Sequence, residues 1–299
     1  MIAFDRLYRQ YLKQESNILR RAYGLPDVSG WLEWQASANM NIAFWPKWFS
    51  PASEGWLKPI KNVGFPLNNL TANKNDCRNI DDCLFCGEKK PVLITGGTGK
   101  MLRSEFYSVC VEACNLSGQN AILLTRYPEM VPHNLPDSIR WMRYIPNLGE
   151  KMSSMLAVIH HGGIGTLSSA ALAGIPQLIL GDYVDRPFNG ARAKELEIAE
   201  YLPPAFWTPK NVSKLLDKIT SNSSIIRCKT FSSAVMQKAD TIEYICELLE
   251  SIINDKNYTL TVPRDRNLNE QLVTNKKMLC EKLSRLSVAE RKLLLKKIL

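Results

Sequence analysis

The sequence predicts an α/β protein with a Rossmann-like parallel β-sheet and helices on both faces. Short apolar runs recur after residue 90, separated by segments with helical spacing; the runs are Val92–Thr95, Ala121–Thr125, Met155–His160 and Gln177–Leu180. Such alternation is typical of successive strand-helix-strand units in a parallel sheet. The stretch 152–181 has no charged residue, but its five glycines, its proline and its two histidines favour strand, turn and helix over a membrane span.

The composition supports a globular chain. With 299 residues, 45% of them hydrophobic and 22% charged, the chain is long enough for about two domains. Disordered proteins and small disulfide scaffolds are therefore excluded.

In chain order, four segments are predicted. Residues 1–66 begin with an amphipathic helix that stops at Gly24, continue as short strands and loops, and resemble the end of a domain. Residues 67–88 are a polar linker. Residues 89–253 form the sheet domain, and residues 254–299 form a basic helical tail.

The net charge of +9 is concentrated in that tail. From Asp255 onward there are eleven Lys and Arg residues against five Asp and Glu residues. A basic tail can contact nucleic acid, an acidic lipid surface or an acidic protein, whereas a solvated face is the simpler interpretation. We expect no nucleic-acid partner, and peripheral membrane contact through the tail stays open.

The eight cysteines show no secreted disulfide framework, which favours a reducing cytoplasm. Cys83 and Cys86 form one C-x-x-C pair, but no second pair follows. Free thiols are therefore expected in place of a zinc site, and no metal or other cofactor is predicted.

The strongest chemical signal is the segment His160–Thr166, which joins an apolar strand to a Ser/Ala/Leu-rich helix. Gly162, Gly163 and Gly165 let the backbone approach a bulky anion, and a helix start supplies unpaired N–H groups. The segment therefore predicts a diphosphate site. A second loop, residues 95–99, also follows a predicted strand and can add amides and a hydroxyl through Gly97 and Thr98.

The sequence lacks the characteristic motifs of two other enzyme classes. The loop at residues 95–99 does not have the G-x-x-x-x-G-K-[ST] spacing of a P-loop. No G-x-S-x-G nucleophile elbow accompanies the histidine pair, which argues against a serine hydrolase.

Residues 90–205 resemble the donor-binding, C-terminal half of GT-B fold glycosyltransferases of the UDP-glycosyltransferase superfamily, which includes bacterial macrolide and sterol enzymes. The segments that carry the resemblance are Gly97-Thr98, Arg143-Tyr144-Ile145-Pro146, the His160–Thr166 signature, Ala173-Gly174-Ile175-Pro176-Gln177 and Asp185-Arg186-Pro187-Phe188.

The resemblance implies a role for each matching residue. Tyr144 would stack on a uracil or thymine, and the Ile145 backbone would recognise the edge of the base. The diphosphate would be held by His160 and by backbone groups of the two glycine-rich loops, namely Gly97, Thr98, Gly162, Gly163, Gly165 and Thr166. Such amides stabilise a leaving group without a metal ion.

Asp185 and Arg186 would recognise the sugar. Asp185 would accept hydrogen bonds from sugar hydroxyls. Arg186 replaces the family's glutamine, and its planar guanidinium would suit a carboxylate or another acceptor-rich donor, or point away from the sugar.

The implied function is transfer of a glycosyl group from a UDP- or dTDP-sugar to a hydroxylated, lipophilic small molecule such as a natural product, sterol or lipid. The family's acceptor-activating histidine lies in an N-terminal domain, and no histidine precedes His133 here. We therefore expect the catalytic base in a missing N-terminal domain. The chain is a truncated enzyme, the partner of a separate acceptor-binding subunit, or a non-catalytic nucleotide-sugar-binding or regulatory module.

The tail adds a second resemblance. Residues 283–295 are similar to the helical linkers that precede condensation or carrier domains in peptide and polyketide synthetases. This similarity would place the protein in secondary metabolite biosynthesis beside a synthetase partner. The alternative is an amphipathic helix that caps the domain or contacts a membrane.

Overall fold

The structure is a computed structural model that describes residues 6, 8–37, 40–51, 60–65, 89–99, 104–235 and 241–254. The predicted linker and the tail beyond Asn254 lie outside these residues, and the predicted domain boundaries stay predictions. Within the described part, no helix combines the length and the apolar character that a membrane crossing requires.

The larger of two compact units contains a six-stranded parallel sheet. Its strands are β3 (Val92–Thr95), β4 (Ala121–Leu124), β5 (Ile139–Met142), β6 (Ala157–His160), β7 (Gln177–Ile179) and β8 (Ala199–Tyr201). The spatial order is β5-β4-β3-β6-β7-β8, and every neighbouring pair is parallel. The predicted α/β class is confirmed, and the edge strands β5 and β8 add to the four strands that the apolar runs predicted.

A smaller two-stranded sheet of β1 (Asn41–Ala43) and β2 (Ile60–Asn62) precedes the parallel sheet in the chain. Among the described residues, the α-helices are α1 (Lys13–Ala22), α2 (Trp31–Ala36), α3 (Ser104–Leu116), α4 (Leu148–Lys151), α5 (Ile164–Ala173), α6 (Arg186–Glu195), α7 (Pro209–Ile219), α8 (Asn222–Val235) and α9 (Thr241–Asn254).

Apolar side chains cover both faces of the parallel sheet, because successive residues of a strand point to opposite sides. On one face Ile94 belongs to a buried cluster with Phe106 of α3 and Val212 of α7. On the other face Leu93 belongs to a cluster that includes Ala170 of α5. The strands are therefore buried on both sides, as their unbroken apolar runs predicted.

Aromatic side chains of the segment that contains β1 and β2 pack against helices of the larger unit, to which Phe49 and Phe65 also belong. Phe49 and Phe65 lie in a buried cluster with Leu167 of α5. The Arg192 guanidinium of α6 donates hydrogen bonds to the carbonyl oxygens of Trp48 and Phe49, at 2.7 and 2.5 Å. These contacts fix the position of α6, whose first residues belong to the candidate site.

The smaller unit contains α1 and α2. Helix α1 ends at Ala22, ahead of Gly24, whose φ of 67° suits a glycine and agrees with the predicted stop. The Asn17 side chain then pairs with both backbone groups of Val28, with N–O distances of 3.0 and 2.9 Å. This pairing holds the chain reversal between the two helices.

Candidate functional site

The candidate site lies where the strand order reverses. Strands β3 and β6 are neighbours, with Thr95 opposite His160, and the chain proceeds from them toward opposite edges of the sheet. The loops that follow them therefore diverge at the carboxyl edge and leave a crevice, which is where doubly wound sheets bind ligands. The two glycine-rich loops predicted from the sequence are these two loops.

The loop after β3 turns sharply at Gly97, where φ is 77°. The Gly97 N–H donates to the Thr95 hydroxyl oxygen at 3.1 Å, and the Thr98 carbonyl accepts a hydrogen bond from the Tyr127 hydroxyl at 3.2 Å. The Thr98 side chain is exposed. The contact of its hydroxyl with a ligand stays a prediction.

The loop after β6 leads into α5 with its amides open. Gly163 is the N-cap residue and supplies no side-chain cap, so Gly165 and Thr166 lie in a first turn whose N–H groups lack intrahelical acceptors. A Cβ atom placed on Gly165 would have no atom within 4 Å. Internal packing thus gives no reason for a glycine at this position, whereas close approach of a ligand does.

His160 lies inside the sheet and is fully buried. Its Nδ1 accepts the Gly162 N–H at 3.2 Å, so the proton sits on Nε2, which lies 3.0 Å from the Gln177 side-chain oxygen. Burial is the main reason that the pKa of His160 falls to about 3, with a smaller contribution from His161. The predicted contact between this ring and a diphosphate would require one of these hydrogen bonds to break.

The loop after β7 carries the predicted sugar-recognising residues. Asp185 is exposed, whereas Arg186 is 7% exposed. The Arg186 guanidinium donates to the Asp182 carboxylate at 2.6 Å and lies 4.4 Å from the centre of the Tyr183 ring. Of the orientations that the sequence left open, the structure therefore has Arg186 bound within its own loop.

Asn189 joins the loops that follow β6 and β7. Its side-chain nitrogen donates to the Gly162 carbonyl and to the Asp185 carboxylate, both at 2.9 Å. Gly162 also suits this position, because its φ is 89° and an added Cβ would approach the Arg186 carbonyl oxygen tightly, at 3.1 Å. These contacts thereby hold the two loops in a fixed position relative to each other.

The predicted base-binding turn follows β5. Ile145 is 3% exposed and anchors the turn in the apolar cluster of one sheet face, whereas the neighbouring Tyr144 is 73% exposed. Three strand spacings of about 4.8 Å, about 14 Å in all, separate β5 from β6. The structure therefore brings together the loops predicted for the diphosphate and the sugar, and it places the predicted base-stacking residue Tyr144 farther along the same edge.

Sequence reasoning missed His161, Asp182 and Asn189. A signal was present for Asn189, which stands four residues from Asp185, the N-cap residue of α6. Spacing of three or four residues predicts contact on a helix. Nothing in the sequence, however, indicates which of two adjacent histidines enters the core.

Comparison with known proteins agrees with this geometry. Residues 120–258 match the family described as "Erythromycin biosynthesis protein CIII-like, C-terminal domain". The 10-deoxymethynolide desosaminyltransferase of Streptomyces venezuelae is 32% identical over 92 residues, which are 31% of this chain and 21% of that protein. The NDP-glycosyltransferase YjiC of Bacillus subtilis is 24% identical over 222 residues, 73% of this chain and 52% of that protein.

The chain thus spans about half, or less, of the length of these curated relatives. Among solved structures, the glycotransferase of kitacinnamycin superposes with a TM-score of 0.63 at 17% identity, covering 82% of this chain and 64% of that one. This likeness confirms the predicted fold.

Proposed function

Because the chain belongs to the UDP-glycosyltransferase superfamily, we propose that it binds a UDP- or dTDP-sugar at the carboxyl edge of its parallel sheet. The start of α5 carries the proposal. It combines open amides, a glycine with no internal packing role and a location at the strand-order reversal. The positive end of the helix dipole adds attraction for a diphosphate.

The rest of the donor lies across the same edge. Tyr144 stacks on the base, and its 73% exposure leaves a ring face available for that purpose. Asp185 accepts hydrogen bonds from sugar hydroxyls, since its carboxylate is exposed and one oxygen is held by Asn189. Arg186 supports this loop by pairing with Asp182 and does not contact the sugar directly.

The reaction is transfer of the glycosyl group to a hydroxyl of a small natural product or lipid. Relatives named for macrolide substrates support this acceptor class. As the bond to the sugar breaks, negative charge develops on the diphosphate, where the amides at the start of α5 stabilise it without a metal ion. The base that deprotonates the acceptor belongs to an acceptor domain or a partner subunit.

Calorimetric titration of the chain with UDP, dTDP and ADP, each with EDTA or with Mg²⁺, tests the donor site. The expected result is micromolar binding of a pyrimidine diphosphate that EDTA does not abolish, with ADP much weaker. Absence of binding by both pyrimidine nucleotides would refute the proposal. Binding without transfer, even in the presence of an acceptor domain, would favour a non-catalytic nucleotide-sugar-binding module.

A further inference from the structure

A cavity of about 320 Å³ lies at the edge of the parallel sheet opposite the candidate site. It is lined in part by Pro176, which directly precedes β7, and by Ala199, the first residue of β8. The cavity is therefore at the amino ends of these strands, whereas the glycine-rich loops follow the carboxyl ends. Since ligand pockets start at about 300 Å³, it has room for a small molecule.

The inner wall of this cavity is apolar. Ile198 and Ile219 line it and are buried, as is Cys228, whose thiol donates to the Ile198 carbonyl oxygen at 3.7 Å. Burial raises the pKa of that thiol to about 11, so the thiol is uncharged at neutral pH. The inner wall therefore suits the hydrocarbon part of a ligand.

The rim of the cavity carries more positive than negative charge. The Glu200 carboxylate pairs with two cations, because Lys218 donates a hydrogen bond to it and the Lys194 Nζ lies 3.4 Å away. The Arg227 guanidinium lies 3.9 Å from the Glu197 carboxylate, which is too far for a hydrogen bond. The described lining residues thus place three cations against two carboxylates, which leaves one positive charge for an anion.

Glu197 occupies the rim against two local preferences. Its φ is 58°, in the left-handed region where the chain beyond a helix usually has glycine. It also stands two residues beyond α6, where the helix dipole disfavours a carboxylate. The pairing with Arg227 contributes little stability, because both side chains are exposed. A carboxylate that holds the Arg227 guanidinium at the mouth of the cavity accounts for this residue.

We infer that this cavity is a second ligand site, which binds a small carboxylate with a short apolar chain. The ligand replaces Glu197 as the partner of Arg227, whose planar guanidinium can bind a carboxylate through two parallel hydrogen bonds. The apolar chain of the ligand covers the isoleucines of the inner wall. This site does not depend on the proposed donor site, since the two share no residue.

The test uses hexanoate, hexan-1-ol and hexylamine, which share one carbon chain and differ in charge. Each probe is titrated at neutral pH and constant ionic strength into the native chain labelled at its isoleucine methyl groups. Hexanoate at millimolar concentration should shift the NMR signals of Ile198 and Ile219 and leave that of Ile94, inside the sheet, in place. Hexan-1-ol should bind at least about fivefold more weakly, and hexylamine should shift neither signal.

Three variants distinguish this site from a general effect of surface charge. Arg227→Gln should bind hexanoate at least about fivefold more weakly. Glu197→Asn removes the competing carboxylate and keeps a residue that tolerates a positive φ, so it should bind hexanoate about twofold more tightly without loss of thermal stability. Lys229→Gln, at an exposed position of the same helix but outside the cavity, should bind like the native chain.

Four results would overturn the inference. These are unshifted Ile198 and Ile219 signals in hexanoate, equal binding of the alcohol or the amine, unchanged affinity in Arg227→Gln, and an equal loss of affinity in Lys229→Gln. Each of them is independent of whether the chain binds UDP or dTDP, so the proposed function stands or fails separately.

Discussion

The loops that follow β6 and β7 are neighbours at one edge of the sheet, yet they carry charge in opposite ways. The loop after β6 has no charged residue, and it ends in the open amides of α5. The loop after β7 has Asp182, Asp185 and Arg186, and two of these pair with each other. One loop offers unpaired donors to an anion, whereas the other neutralises most of its charge internally.

The difference indicates which part of the ligand each loop of the proposed site would bind. Backbone amides and an uncharged histidine can receive a diphosphate without leaving an isolated charge when the site is empty. In the second loop only the Asp185 carboxylate stays exposed, so recognition of sugar hydroxyls falls to one acceptor. Asn189 then keeps the two loops at a fixed separation through its two hydrogen bonds.

The largest expected effect concerns the pH dependence of stability in the uncharged loop. The pKa values of His160 and His161 lie at about 3 and about 4 in the folded chain, below the ordinary 6.5. The unfolded chain therefore binds protons that the folded chain excludes. The free energy of unfolding should therefore be highest above about pH 6.5. It should decline as the pH falls toward 4, by about 1.4 kcal/mol per pH unit for each histidine.

Urea unfolding between pH 7.5 and 4.5 measures this dependence. His160→Gln should be less stable at neutral pH, but it should lose less free energy of unfolding than the native chain as the pH falls. If the free energy of unfolding of the native chain stays constant between pH 6.5 and 4.5, folding does not lower the pKa values of the two histidines. The contrast drawn between the two loops would then be wrong.

A smaller effect is expected from breaking the ion pair of the charged loop. The side chains of Arg186 and Asp182 are 9% and 22% exposed. Arg186→Gln leaves the Asp182 carboxylate unpaired and should cost about 3 kcal/mol, the lower end of the range for buried pairs. Denaturant unfolding of the purified variant measures this loss.

The matched control is the double variant Asp182→Asn with Arg186→Gln. It removes both charges and should recover most of the lost stability, since no unpaired carboxylate stays behind. If the single and double variants lose the same free energy of unfolding, the two charges are not coupled. Direct contact between Arg186 and the sugar would then again be open.

Much of this edge of the sheet is predictable from sequence, because central strands are unbroken apolar runs and the loops after them contain glycine. Strands β5 and β8 were missed for a physical reason. Arg140 and Glu200 interrupt them, and an edge strand of three or four residues tolerates such side chains. Periodicity over so short a segment gives no clear signal.

The orientation of the histidines was beyond sequence reasoning for a related reason. His160 is the last residue of β6 and keeps the strand's alternation, so its ring joins the core beside Gln177. His161 follows the strand, and the turn at Gly162, where φ is 89°, sets its direction. Likewise, the pairing of Arg186 with Asp182 depends on how the loop folds before α6 begins.

The most direct measurement of the central claim is UDP titration of Gly165→Ala. The added methyl group meets no atom within 4 Å beyond its chain neighbours and its own helix backbone, and alanine is the better helix former, so the melting temperature should equal or exceed that of the native chain. If the diphosphate lies against the start of α5, the methyl group occupies its space, and binding should weaken at least about tenfold, or about 1.4 kcal/mol. Native affinity in this variant would place the nucleotide elsewhere and contradict the account.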